Sequence, residues 1–343
     1  MLKEEQKEKE IERRKGPGNL SIPSPKDNET LNSFFGTNHR LYITSQFGIY
    51  QVLTSDDIDP EVTSENVPWV VNRYINFGTS EKLFGILLGT VRNVTNSVIV
   101  DQEIQKELRT RLLPCLVSAN EICYAKSIYS LEIENHRKII EESNLQDLKS
   151  GNGLKIPSVE SFEVSFGIFF SGIKRYLNSL FSVFEWACGL PEGKGSKLDK
   201  LLNRISDKKK LQEQFGDLEF LRRHEEFVLS VNRLRDFYEH PTASNYVELR
   251  NVSFVPPNLL AEPSFRLILN ELVNESEWFE YTKNISLIYD TLCSLTRDII
   301  LAVAIVRGNQ QIVWEAEAVP EDQLDKHWPV DCEIKVLGFK PRF

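Results

Sequence analysis

Two long segments of this chain bury an apolar stripe only if they are helices. In the first, Phe162, Phe166, Phe169, Ile173, Leu177, Leu180 and Phe184 recur every three or four residues, the period of a helix with one covered face. Ser158 or Ser161 can cap it, and Gly189 and Pro191 end it. In the second, Trp278, Tyr281, Ile285, Ile288, Leu292, Leu295 and Ile299 follow the same rule between about Asn274 and Gly308. Two more helices are expected over Lys197–Ile205 and from about Asp217 to Glu239. The latter carries Leu221, Val228, Val231, Leu234 and Tyr238 on one face and stops at Pro241. Helices striped in this way pack antiparallel against one another.

The rest of the chain is less regular. Residues 1–37 alternate Lys and Glu and then run into GPGNLSIPSPKDNET, which predicts a disordered tail with a short exposed helix at its start. RLYITSQFGIYQVLTS alternates β-branched and aromatic residues and predicts a hairpin. From Pro68 to about Asn144 the pattern is helical, with Leu112, Leu116, Ala119, Cys123, Ile128 and Leu131 near helical spacing and Pro114 starting or kinking a helix. NLQDLKSGNGLKIPS is the expected internal boundary. SNYVELRNVSFVPPN reads as a loop, and QIVWEAEA and EIKVLGF as a closing hairpin. The expected fold is therefore mainly α: an antiparallel helical bundle over 151–309, an N-terminal helical region over 38–150, and minor β hairpins, one of them a short extension over 310–343.

The net charge of −9 disfavours a surface that coats nucleic acid throughout, though not a local basic groove. Five scattered Cys without a C-x-x-C pair read as reduced thiols in a cytoplasm, with neither a disulfide framework nor zinc. Cys123, Cys188 and Cys293 sit in apolar helical patterns, as core filler does. The charged N-terminus has no signal-peptide pattern, and the longest apolar run, Leu83 to Val91, is too short to span a bilayer. No HExxH, Gly-rich phosphate loop or GxSxG occurs, so neither a metal nor a cofactor is expected. The five Trp are dispersed and read as core. His224, between Arg222–Arg223 and Glu225–Glu226, reads as a surface residue.

The stretch that carries chemistry is RLRDFYEHP, Arg233 to Pro241. Arg235 and His240 stand five residues apart, about 140° and about 7.5 Å along a helix, and converge only if the last turn opens before Pro241. A guanidinium fork fits phosphate oxygens, and an imidazole moves protons near neutral pH. Arg-x4–6-His late on a helix, with a polar residue (Asp236) directly after the Arg, resembles the signature of HEPN domains, the nucleotide-binding domains of higher eukaryotes and prokaryotes. The likeness covers roughly residues 155–308. It implies a helical bundle that pairs as a homodimer and cleaves RNA without a metal, the ribose 2′-hydroxyl attacking its own phosphate. Arg235 would then hold phosphate and His240 would act as general acid or base. A further polar residue would come from a neighbouring helix, with Glu163, Asn178 and Glu185 as candidates.

Around this motif, Arg233, Asp236, Lys197 and Lys208 are the candidate substrate-binding residues. Residues 193–211 hold seven Lys/Arg and two Asp, the one strongly basic stretch where RNA phosphates could dock. The same residues also fit a purely structural role. A cation at a helix C-terminus gains about 0.3–1 kcal/mol from the dipole, and Arg235 can pair with Glu239 at i,i+4. Three functions follow from these two roles: an RNA-cleaving toxin or defence effector, a non-catalytic helical dimerisation or protein-interaction module, and a nucleotide binder without turnover.

Overall fold

A computed structural model describes residues 4–15, 29–37, 40–142, 149–150, 153–154, 158–193, 197–255, 259–269 and 277–339. Along the chain run α1 (Glu4–Lys15), β1 (Leu31–Gly36), β2 (Leu41–Ser45), β3 (Ile49–Leu53), α2 (Ser55–Ile58), β4 (Val70–Ile75), α3 (Lys82–Ser97) and α4 (Gln102–Glu142). The two-residue strands β5 (Lys149–Ser150) and β6 (Gly153–Leu154) follow. Next come α5 (Phe162–Ala187), α6 (Leu198–Ser206), α7 (Lys209–Phe215), α8 (Glu219–Arg222) and α9 (Glu225–Glu239). The remainder is β7 (Asn245–Arg250), β8 (Ser253–Val255), β9 (Leu259–Ala261), β10 (Ser264–Leu269), β11 (Phe279–Glu280), α10 (Tyr281–Arg307), β12 (Ile312–Ala318) and β13 (Cys332–Phe339).

This architecture is α plus β, not a mainly helical bundle with minor hairpins. Strands β1 to β4 form a four-stranded antiparallel meander, and β11, β10 and β7 form a three-stranded antiparallel sheet. The chain divides into two compact units, Met1–Leu113 with Gln311–Phe343, and Pro114–Gln310. The sequence pattern instead places limits at 37, 150 and 309. The segment read as a tail supplies α1 and the edge strand β1, while its breaker-rich middle, 16–28, lies outside the described residues, as does most of the expected boundary at 144–158.

In the first unit the expected hairpin is real, as β2 and β3 with Leu41 opposite Val52 and Ile43 opposite Tyr50. It is flanked by β1 and β4 because Phe35 pairs with Tyr42, and Val71 with Val52. Ile43, Tyr50 and Val52 form a buried cluster with Leu41, Trp69 and Val71 packed on it. Gly78 crosses the β2–β3 turn so closely that a Cβ there would lie 2.2 Å from the Ser45 carbonyl oxygen. Helix α3 is buried along most of its length, and the β12–β13 hairpin packs against it. The Trp328 Nε1–H donates to the Gly85 carbonyl at 3.1 Å, and the Asn93 amide to the Cys332 carbonyl at 2.9 Å. A Cβ on Gly89 would meet the Val330 Cγ2 at 2.1 Å.

In the second unit the two striped helices behave as their period demands. All seven stripe residues of α5 are buried. Phe166 sits at 4.5 Å from Phe170, 5.4 Å from Phe265 of β10 and 5.6 Å from Tyr281 of α10, between ring centroids. Each such fully buried Phe contributes about 1.5–3 kcal/mol. Helix α4 joins through Tyr129, whose hydroxyl meets Thr282 at 2.9 Å, and Cys123, which meets the Tyr289 hydroxyl at 3.4 Å. Pro114 lies inside α4 without ending it.

Three readings need correction here. Helix α10 starts at Tyr281, so Trp278 precedes it and lies under the guanidinium groups of Arg250 and Arg266, at 4.1 and 4.6 Å. The five Trp are half-buried rather than core, and Arg side chains lie over the rings of Trp186, Trp278 and Trp328. The helix expected over 217–239 is broken into α8 and α9 at Arg223–His224. Among the described residues no helix is long and apolar enough to cross a membrane.

Packing at Gly89 gives a direct check. Gly89→Ala should cost about 1–3 kcal/mol through overpacking against Val330 and Trp328, read as a lowered urea midpoint. An unchanged midpoint would mean that the β12–β13 hairpin does not sit on α3.

Candidate functional site

Helices α5 and α9 meet along a seam that is aromatic at one end and ionic beyond it. At the aromatic end the ring of Tyr238 lies 5.1 Å from that of Phe166 and lies against Gly167, where a Cβ would come within 3.0 Å of it. The Tyr238 hydroxyl donates to the Glu163 carbonyl at 3.3 Å. This contact aligns the next turns. Ser171 hydrogen-bonds Glu239, and the Lys174 ammonium meets Asp236 at 2.6 Å. The match works because 171 and 174 on α5, and 236 and 239 on α9, are each one helical turn apart.

Arg235 lies within this ionic seam. Its guanidinium bonds Asp236 at 3.0 Å and also Glu239, and its side chain is 22% exposed. Its Nε is buried without a hydrogen-bond partner. Burial pushes the Glu239 carboxyl up, but the hydrogen bonds from Ser171 and Arg235 outweigh it and hold the group below its usual value. Asp236 is likewise held low, burial being outweighed by Lys174 and Arg235. The opposite balance raises Arg235, whose carboxylate partners outweigh its burial.

His240 is the C-cap residue of α9. Its backbone N–H donates to the Asp236 carbonyl at 2.9 Å, its φ and ψ are −130° and 59°, and it is exposed. Arg235 is bound by Glu239, and the exposed side chain of His240 follows one residue later at the cap. In this chain alone the two cations Lys174 and Arg235 are matched by the two carboxylates Asp236 and Glu239, so the seam presents no surplus of positive charge to a phosphate.

The other candidate residues divide. Arg233, Asp236 and Lys197 line one groove of about 880 Å³ between α5, α6 and α9; Lys208 is not among its lining residues. Lys197 and Lys208 are the exposed N-cap residues of α6 and α7. The groove is electrically balanced: Lys174, Lys197, Lys200, Arg204 and Arg233 face Glu185, Asp199, Glu225, Glu226 and Asp236. Glu185 is buried and holds Arg204 at 2.5 Å in that groove. Asn178 is exposed on α5. Glu163 shares a cleft of about 560 Å³ with Tyr238, Pro241, Tyr246 and Glu248 at the end of α9, a lining that favours cations over phosphates.

A second polar cluster is invisible to sequence patterning. His224 is buried, not at the surface, and its Nε2 lies 2.8 Å from the Asp298 carboxylate of α10. Arg223 reaches the same oxygen at 2.6 Å, and the Arg297 Nε the other oxygen at 3.2 Å. Burial raises the Asp298 carboxyl, yet His224 and Arg223 hold it below its usual range. The partners lie more than seventy residues apart in sequence, and no local spacing signals them. Burial also pushes the Cys188 thiol up to about 12. All five Cys are buried and outside any disulfide, which suits packing rather than nucleophilic chemistry. Among the described residues no group of three or more His, Cys, Asp or Glu is placed to hold a metal ion.

Comparison with known families, curated proteins and solved structures finds no match to this chain.

Asp298→Ala should cost about 3–5 kcal/mol, because it strands His224 and its arginine neighbours without a carboxylate. Since the folded state depresses the Asp298 carboxyl, its stabilisation is present above the ordinary carboxylate value and lost as pH falls through the lowered one. Urea midpoints across that acid range should fall less steeply for Asp298→Ala than for the parent chain. Parallel curves would refute the assignment.

Proposed function

We propose that the chain works by pairing with a second copy of itself through the outer face of α4, and that the Arg235–His240 element is a structural helix terminus. One observation carries this reading. Val117, Tyr124 and Leu131 are 42%, 49% and 64% exposed and stand seven residues apart on one helix, the spacing of one position in a heptad. They span about 21 Å. They are also symmetric about Tyr124, so a two-fold axis there sets Val117 of one copy against Leu131 of the other. A self-complementary patch of that kind is what an isologous dimer needs. The engagement of Arg235 by Asp236 and Glu239 supports the structural half, as does the place of His240 at the cap.

A second reading is favoured by one specific feature, the exposed His240 standing directly after the Glu239 carboxylate that Arg235 binds. It is a metal-independent ribonuclease of the HEPN type. A second copy or a bound RNA would displace one carboxylate from Arg235, freeing the fork for phosphate, and His240, already exposed, would move the proton. The site of action would be a cytoplasm, where reduced thiols persist.

Two measurements separate these readings. Sedimentation equilibrium should find a dimer that Tyr124→Glu or Leu131→Glu weakens by about tenfold or more, or about 1.4 kcal/mol. A wild-type chain that stays monomeric at about 100 μM, equivalent to a dissociation energy below about 5.5 kcal/mol, removes the pairing proposal. Mixed RNA incubated with the chain in excess chelator should remain intact. Cleavage that disappears in both Arg235→Ala and His240→Ala would replace the structural reading with the nuclease.

A further inference from the structure

Helix α1, EEQKEKEIERRK, has Ile11 as its one aliphatic residue, and that residue is 37% exposed. The helix has no apolar stripe with which to dock, yet the side chain of Arg14 is only 3% exposed. It is enclosed by polar atoms. Its Nη1 donates to the Asp59 carbonyl at 2.7 Å, the Asp56 carboxylate at 3.2 Å and the Ser55 carbonyl at 3.4 Å. Its Nη2 donates to the Asp59 carboxylate at 3.0 Å and the Ser64 carbonyl at 3.5 Å. The Nε is held by Glu10, one turn back on the same helix, at 3.1 Å. Arg13 adds a bond to the Val67 carbonyl at 3.4 Å.

Apart from Glu10, the acceptors come from residues 55–67, and that segment is held in shape by bonds of its own. Thr54 and Asp57 form a capping box at the start of α2. Asp59 takes the Thr63 N–H at 2.9 Å and the Ser64 N–H at 3.1 Å, so it keeps its orientation without Arg14. Val62 and Asn66 adopt left-handed φ values of 54° and 57°. Three carbonyls and two carboxylates around one planar, five-donor group form an arginine-reading site; a Lys ammonium is a point donor and cannot satisfy them together. The contacts that hold α1 here are ionic and polar, with no apolar stripe beside them, so releasing the helix uncovers little apolar surface and leaves the acceptors open to another guanidinium. Residues 16–28, the thirteen between α1 and Glu29, span at most about 45 Å, enough to dock α1 on its own chain or on a neighbouring copy.

We propose that residues 54–67 are a guanidinium-recognition site for an arginine borne on a helix, occupied by Arg14 of the same chain and exchangeable with α1 of a second copy. The test uses the full chain and a fluorescent peptide of residues 4–15 as probe, followed by anisotropy. The peptide should bind the Arg14→Ala chain at least about tenfold more tightly than the wild-type chain, whose site is filled. Rising salt should weaken that binding, and an Arg14→Lys peptide should lose about tenfold or more. Where Arg14→Ala disturbs the fold, seen as a lowered thermal midpoint, the Arg14→Lys chain carries the same comparison. Equal binding to the wild-type and Arg14→Ala chains, no binding to a folded Arg14→Ala or Arg14→Lys chain, or indifference to Arg against Lys in the peptide overturns the proposal.

Discussion

The close approach of Tyr238 to α5 is the contact on which the second unit's polar geometry depends. Gly167 leaves room for that ring, and Phe166 packs against it. Once Tyr238 is seated, the helical repeat dictates the rest: Glu239 reaches Ser171, Asp236 reaches Lys174, and Arg235 is drawn to both carboxylates. The ionic seam follows from an aromatic one. A larger residue at 167 would crowd the Tyr238 ring and shift the seam that follows from it.

That dependence decides how the Arg-His pair is understood. A guanidinium holds a phosphate strongly when its donors are free and the site carries net positive charge. Arg235 meets neither condition within one chain. The adjoining groove is balanced in charge, and the cleft past Pro241 adds carboxylates rather than cations. The seam thus stabilises the α9 terminus, and any catalysis would require another molecule to rearrange it. The first unit treats a guanidinium in the opposite way: Arg14 fills a site whose acceptors are organised by their own loop.

Much of the helical half was legible in the sequence. The α5 and α10 stripes are unbroken at a period of three to four, so burial of one face was the one outcome available to them. The Arg235–Glu239 pair was legible too, since i,i+4 spacing suffices for it. The β2–β3 hairpin and the β12–β13 hairpin announced themselves by alternation. The first sheet's edges did not: β1 reads LNSFFG, with polar residues among its few apolar ones, after a breaker-rich stretch. The three-stranded sheet escaped because Glu248 and Arg266, which pair across β7 and β10 at 2.6 Å, look like loop charges when met singly. His224 escaped for the same reason, its neutralising partner Asp298 lying on a distant helix. Burial of a charge depends on its partner, and partners remote in sequence leave no local trace.

The account stands on Arg235 being held by its neighbours, and a double-mutant cycle on stability measures that hold. Arg235→Ala, Glu239→Ala and the double variant would be compared by urea unfolding. Residues in direct contact should show a coupling of about 0.5–3 kcal/mol, the double variant losing less than the two singles together. Additivity within about 0.3–0.5 kcal/mol would mean that the two side chains do not interact, leaving the guanidinium free and the structural reading of the motif without its basis.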